Sequence, residues 1–225
     1  MSRIGFGMSL GEIFGEAIRL IAQHPIILIP AVIPSLWALV AAVLWLIGPV
    51  MSAFSGNYVA GAAVSIAGIV VGALIYEFLF ILSHAMTVAL VRDAHEGGYA
   101  SVSEALEDTI SCVPALLLAT LLSGLIISFG CLFLILPGLI LAFLLLYVAQ
   151  AIMVDEETAT GAISASFRTA AAAVGETIGV VFMAGIANVI SILVLVFVPW
   201  LGWILLIPTT VYFTTVFTLL YLERG

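Results

Sequence analysis

From Val113 to Val154 the chain runs for 42 residues without one charged side chain. As a single helix rising about 1.5 Å per residue, that run would be roughly twice as long as a bilayer's hydrocarbon core is thick. It must therefore fold back on itself. The turn signals lie near its middle, at Gly130 and at Leu136-Pro137-Gly138, and they divide the run into two spans, about Val113–Phe129 and Pro137–Val154. The pair reads as a transmembrane hairpin whose second arm returns the chain to Asp155-Glu156-Glu157. Thr177–Leu222 is another 46 uncharged residues, with Pro199-Trp200-Leu201-Gly202-Trp203 as its turn and two aromatics suited to a membrane interface.

Composition closes off the soluble alternative. A chain of 225 residues with 64% hydrophobic and 8% charged side chains has far more apolar surface than one core can bury. The spans are apolar throughout and do not alternate every second residue, which indicates helices and not a β-barrel.

The chain before the central hairpin follows a similar plan. Ser9-Leu10-Gly11-Glu12 has the form of a capping box. Leu10, Ile13, Phe14, Ala17, Ile18 and Ile21 then recur at helical spacing opposite Glu12, Glu16, Arg19 and Gln23, so an interfacial amphipathic helix is expected. His24-Pro25 ends it. Span 1 is Pro25–Ile47, followed by a connection from Gly48-Pro49 to Asn57, and span 2 runs from Tyr58 to about Val91. Within span 2, Gly68 and Gly72 form a G-x-x-x-G suited to close helix packing inside the chain. Ser101-Val102-Ser103-Glu104 repeats the capping-box form, with Val102, Ala105, Leu106, Thr109, Ile110 and Val113 as the apolar face and Pro114 opening the hairpin. Phe14 and Leu106 are expected to be buried by these two amphipathic helices. A third apolar face, Ala159, Ala162, Ile163, Ser166, Phe167 and Ala170, precedes the last hairpin.

The expected fold is thus an all-α integral membrane protein in a single domain, 1–225, with six transmembrane helices arranged as three parallel repeats. Each repeat is an interfacial amphipathic helix followed by a transmembrane hairpin, over about 9–91, 101–154 and 158–222. Arg3, Arg19, Arg92, Arg168 and Arg224 all fall on the face that carries the termini in this scheme, and the three opposite turns contain no basic residue. The positive-inside rule makes that face cytoplasmic, and the plasma membrane of a prokaryote is the expected location. The same face is net acidic and has no lysine, which argues against a nucleic-acid surface or a polybasic headgroup patch. Its acids are read as a solvated face in preference to a docking site for a basic partner. The expected partners are the lipid bilayer and a further membrane protein or a second copy of the chain. Cys112 and Cys131 flank a span of about 27 Å, too far apart for a disulfide, and read as free thiols.

Motifs of metal, nucleotide and hydrolytic chemistry are missing: there is no H-E-x-x-H, Walker loop or C-x-x-C, and Gly7-Met8-Ser9-Leu10-Gly11 matches G-x-S-x-G without the strand a nucleophile elbow needs. No cofactor, metal or catalytic residue is assigned. The one candidate constellation is intramembrane. Glu77 and His84 stand seven residues apart on one helix face, with Gln150 and Asn188 as possible polar partners from other spans. A carboxylate in hydrocarbon costs at least about 2.5 kcal/mol, so Glu77 is expected to be protonated and to donate to a facing helix. Polar amides inside a bundle are more often structural glue. The functional alternative is a polar path for protons or a cation.

The opening Ser9-Leu10-Gly11-Glu12 helix leading to His24-Pro25 and Pro30, the Leu136-Pro137-Gly138-Leu139 turn and the Ala162-x-x-x-Ser166 segment resemble the membrane domain attached to some glycerophosphodiester phosphodiesterases. They equally resemble its stand-alone, six-span prokaryotic relatives. The resemblance marks Pro137, Gly138, Ala162 and Ser166 as motif positions and implies a membrane module without catalysis, because the phosphodiesterase domain and its metal ligands are not in this sequence. Two functions are therefore carried forward: a non-catalytic polytopic membrane module that organises lipids or partner membrane proteins, and a small transporter or permease using Glu77 and His84.

Overall fold

The computed structural model describes residues 8–97 and 99–225, together with the backbone but not the side chains of Pro199, Trp200 and Trp203. The structure is helical, with no strand among the described residues. Six helical segments are long and apolar enough to cross a membrane: Pro25–Ser55, Tyr58–His95, Val102–Phe133, Ile135–Asp155, Val174–Phe197 and Ile204–Arg224.

Helix α1, Leu10–Gln23, begins with the capping box its sequence specifies. The Ser9 hydroxyl and the Ser9 amide both donate to Glu12 Oε2 at 2.7 Å, and the Glu12 amide donates back to Ser9 Oγ. These two bonds, the hydroxyl's first, hold the Glu12 carboxyl below its ordinary range. Ile13, Ala17 and Leu20 are buried, and Phe14 stacks on Tyr212 with ring centroids 6.2 Å apart. Ile18 faces outward.

A 3₁₀ turn, Pro25–Leu28, leads into α2, Ile29–Trp45, and α3, Ile47–Ser55. The connection expected from Gly48-Pro49 onward is helical instead, because a proline in the first turn of α3 removes an amide that has no helical partner there. The reversal is confined to Gly56, at φ 67°, and Asn57, whose side chain caps α4, Tyr58–His95. Close packing in this hairpin is also not where the G-x-x-x-G puts it. Nothing lies within 4 Å of a Cβ built on Gly68, whereas one on Gly61 would lie 2.6 Å from Gly48 O and against Ser52 Oγ. Gly72 contributes differently, its carbonyl accepting from Trp37 Nε1 at 2.9 Å.

Helix α5, Val102–Phe133, runs unbroken through Pro114. The second amphipathic segment is therefore not a separate interfacial helix but the first three turns of the span. Its capping box does not form: Ser101 Oγ lies 2.9 Å from Ser103 Oγ and caps no helix amide. Ala105 and Thr109 are buried, while Leu106 is exposed, contrary to expectation.

The turn of the central hairpin is the single extended residue Leu134, between α5 and α6, Ile135–Leu144. Gly130 and Gly138 lie inside helices and face each other, a Cβ on Gly130 falling 3.0 Å from Gly138 Cα. They serve close approach and do not make the turn. The fourth span is interrupted at Leu145–Tyr147 before it resumes as α7, Val148–Asp155. The chain then reverses at Glu156, φ 54°, into α8, Ala159–Ala172, capped by Thr158. Helices α9, Val174–Phe197, and α10, Pro199–Arg224, form the last hairpin. At its tip Gly202 is buried against the backbone of Leu195. The expected interfacial role of Trp200 and Trp203 lies outside the described residues.

Helix α4 is the spine of the bundle and packs against α2, α3, α5, α7 and α10. At its charged end Arg92 ties three elements together, donating to Asp93 and Asp108 at 2.9 Å and to Met153 O at 2.7 Å. Cys112 and Cys131 are both free thiols.

Candidate functional site

A long polar side chain is retained in a hydrocarbon-spanning helix only where something other than lipid receives it. Helix α4 carries Glu77 and His84, α7 carries Gln150 and α9 carries Asn188. All four border one cavity of about 820 Å³. It lies between the α5–α6 hairpin and the α9–α10 hairpin, with α4 and α7 as its floor.

The wall formed by α4 is an aromatic ladder at helical spacing. Tyr76 stacks on Phe80 with centroids 6.1 Å apart, and Phe80 stacks on His84 at 6.3 Å, both pairs within 18° of parallel. Residues four apart lie one above another on a helix, which is why the three rings form a column. Glu77 stands beside this column. His84 is fixed from the opposite helix, its Nδ1 lying 3.3 Å from Thr214 Oγ1.

Contrary to the sequence expectation, Glu77 does not donate to a facing helix. It makes no hydrogen bond or ion pair to the described chain, and its side chain is exposed on the cavity wall. A packed interface would have required a partner; a cavity wall does not. Asn188 is partly self-satisfied, since its Nδ2 donates to Ala184 O one turn back at 2.9 Å.

Gln150 is the most constrained of the set. Its residue is 1% exposed and its Oε1 accepts no hydrogen bond. An unpaired buried acceptor costs about 1–3 kcal/mol, and this one belongs to a residue of the cavity lining. Ser123 Oγ on α5, also on the lining, is buried and unpaired in the same way.

These groups are spread in depth as well as around the wall. Gln150 is five residues from Asp155 and Glu77 is fifteen from Arg92, roughly 8 and 22 Å along their helices. Polar groups thus accompany the cavity through much of the hydrocarbon thickness. Among the described residues no Lys or Arg lines it.

The interruption of the fourth span adjoins this cavity, which Leu145, Leu146 and Val148 help to line. Breaking a helix in hydrocarbon frees backbone groups that lipid cannot satisfy. Ser166, from α8, satisfies them: its hydroxyl donates to Leu144 O at 2.7 Å and accepts from the Tyr147 amide at 3.0 Å. Tyr147 is fully buried and its hydroxyl lies 2.8 Å from Thr177 Oγ1. Sequence reasoning marked Ser166 by resemblance only and missed the break, Ser123, Thr214 and the aromatic ladder. The spacing of Tyr76, Phe80 and His84 was a signal that could have been found.

A second cavity, about 710 Å³, lies at the charged end beside Arg92, Asp93, Asp108 and Glu156. Among the described residues no three His, Cys, Asp or Glu side chains are grouped so as to hold a metal ion. Comparison with family models, with curated proteins and with solved structures found no match to this chain, which leaves the chemistry of the central cavity as the ground for a functional reading.

Proposed function

We propose that this protein is a non-catalytic membrane module whose central cavity receives a polar or amphiphilic ligand from within the bilayer. The observation that carries the reading is the convergence of Glu77, His84, Asn188 and Gln150, whose buried Oε1 has no partner among the described residues, on the lining of one cavity. A cavity of about 820 Å³ lined by aromatic and apolar groups with a few polar ones has the character of a small-molecule site. The experiment that tests it uses a chain in which Cys112 and Cys131 are replaced by alanine. Cysteine at Thr120, an exposed position on the cavity lining, is expected to react with small charged methanethiosulfonate reagents in nanodiscs, while cysteine at the outward-facing Leu125 stays inert. A folded protein in which both positions are equally inert would rule the reading out.

A permease is the second reading, and the discontinuous fourth span favours it. Interrupted helices beside mid-membrane polar groups recur in secondary transporters, where freed backbone ends meet substrate or ion. Here the break at Leu145–Tyr147 lies within one turn of Gln150.

The module is built from three units, each an entering helix followed by a hairpin, with α1, the first turns of α5 and α8 as the entering helices. This reading makes the chain a relative of the membrane domain attached to glycerophosphodiester phosphodiesterases. The packing of Gly138 against Cys131 and the two bonds made by Ser166 give those motif positions physical roles that support it. Both termini belong on the cytoplasmic side of a prokaryotic plasma membrane, given that all five arginines fall on one face of this topology. Cysteines introduced at Asn57 and Arg224 are expected to be labelled from opposite sides of the membrane. Labelling of both from one side would refute the six-span topology.

A further inference from the structure

We infer that the ligand of the central cavity is an amphiphilic organic cation, held with its positive centre against Glu77 and the aromatic column of Tyr76 and Phe80. This rests on the reading of the cavity as a ligand site and adds the charge and shape of what it takes.

Three features of the cavity converge. Among the described residues Glu77 has no hydrogen-bond or ion-pair partner, and no Lys or Arg lines the cavity on whose wall it stands. Among the described residues of the lining the other acid–base side chains are Tyr76 and His84, both on its own helix, and His84 is two turns away, about 10.5 Å of rise. A bound cation is thus the charge partner that the described chain does not itself give this side chain. Next to it, the aromatic rings of Tyr76 and Phe80, both on the lining, supply π-electrons to attract a positive centre and apolar surface to attract its substituents. Finally, Gln150 Oε1 is an acceptor without a donor among the described residues, and the Ser123 hydroxyl, also unpaired, can accept as well as donate. Glu77 and the Gln150 carbonyl are therefore the groups of the lining suited to receive positive charge or N–H. An anionic headgroup would meet the Glu77 carboxylate with no cation to offset it.

The probe is radiolabelled tetraphenylphosphonium, added to the full chain in phosphatidylcholine nanodiscs. Binding is expected to be saturable and to weaken about tenfold or more in Glu77→Gln, with a smaller loss in Phe80→Leu. Because Glu77 makes no bond to the described chain, Glu77→Gln is expected to melt with the wild type, which is checked in the same preparation. Tetraphenylphosphonium should also protect the cysteine at Thr120 from methanethiosulfonate reagents, and tetraphenylborate, an anion of the same shape, should not. Absent saturable binding, affinity unchanged by Glu77→Gln, or equal protection by the borate would each overturn the inference. If the cysteine at Thr120 is reactive and the phosphonium still fails to bind, only the cation assignment falls. If that cysteine is inert, the ligand-site reading falls with it.

Discussion

Ser166→Ala is expected to destabilise the protein by about 2–4 kcal/mol, because one hydroxyl closes both ends of the break in the fourth span. The Leu144 carbonyl and the Tyr147 amide lose their partner at 2.7 and 3.0 Å, and Ser166 is fully buried, so no water replaces it. Each orphaned buried group costs about 1–3 kcal/mol, and lipid offers no alternative donor or acceptor. For a chain of this size that corresponds to roughly 5–10 °C in the thermal unfolding midpoint measured in detergent. Ser164→Ala, an exposed serine on the same helix, is the control and should leave the midpoint unchanged. Equal midpoints for the two variants would mean that the break is satisfied some other way. The expected loss also reaches the cavity. Tyr147 packs edge-on to Phe217, which lines it, so loosening the break frees one wall of the site.

The six spans were legible because hydropathy and helix length are local properties, and runs such as Val113–Val154 admit no other solution in a bilayer. The interruption at Leu145–Tyr147 was not, because Leu-Leu-Tyr carries no glycine or proline and its compensation comes from a serine some 20 residues on. Pro114 misled in the opposite direction: read as a boundary, it is carried inside a continuous α5. The first capping box formed and the second, with the same S-x-x-E letters, did not, since Ser101 pairs with Ser103 instead. A motif gives donors and acceptors, and the backbone it sits on decides whether they meet. Glu77, His84, Gln150 and Asn188 were visible as polar exceptions in apolar runs. Their convergence on one cavity depends on which faces of α4, α7 and α9 turn toward each other, and spacing within a span says nothing about rotation between spans.

The same point decides where a bulky residue does most damage in the first hairpin. Gly61→Leu is expected to be the most disruptive substitution on α4, while Gly68→Ala, seven residues on, is expected to be neutral or to stabilise by up to about 1 kcal/mol through helix propensity. A Cβ at Gly68 meets nothing within 4 Å, whereas one at Gly61 meets the Gly48 carbonyl at 2.6 Å and the Ser52 side chain. The true contact is built from two matching segments, Gly48-x-x-x-Ser52 on α3 and Gly61-x-x-x-Ser65 on α4. In each, the serine hydroxyl donates at 3.1 Å to the carbonyl of its own glycine one turn back. The hydroxyls are thereby satisfied without crossing the interface, and the glycines let the two backbones touch. Overpacking costs about 1–3 kcal/mol where side chains can yield, and more where the obstacle is main chain. Gly61→Ala combined with Ser52→Gly separates these contributions. Removing the Ser52 side chain should recover only part of the melting temperature lost in Gly61→Ala, since Gly48 O stays in place. Complete recovery would mean that the backbones have room to part, and that the serine alone sets how closely α3 and α4 approach.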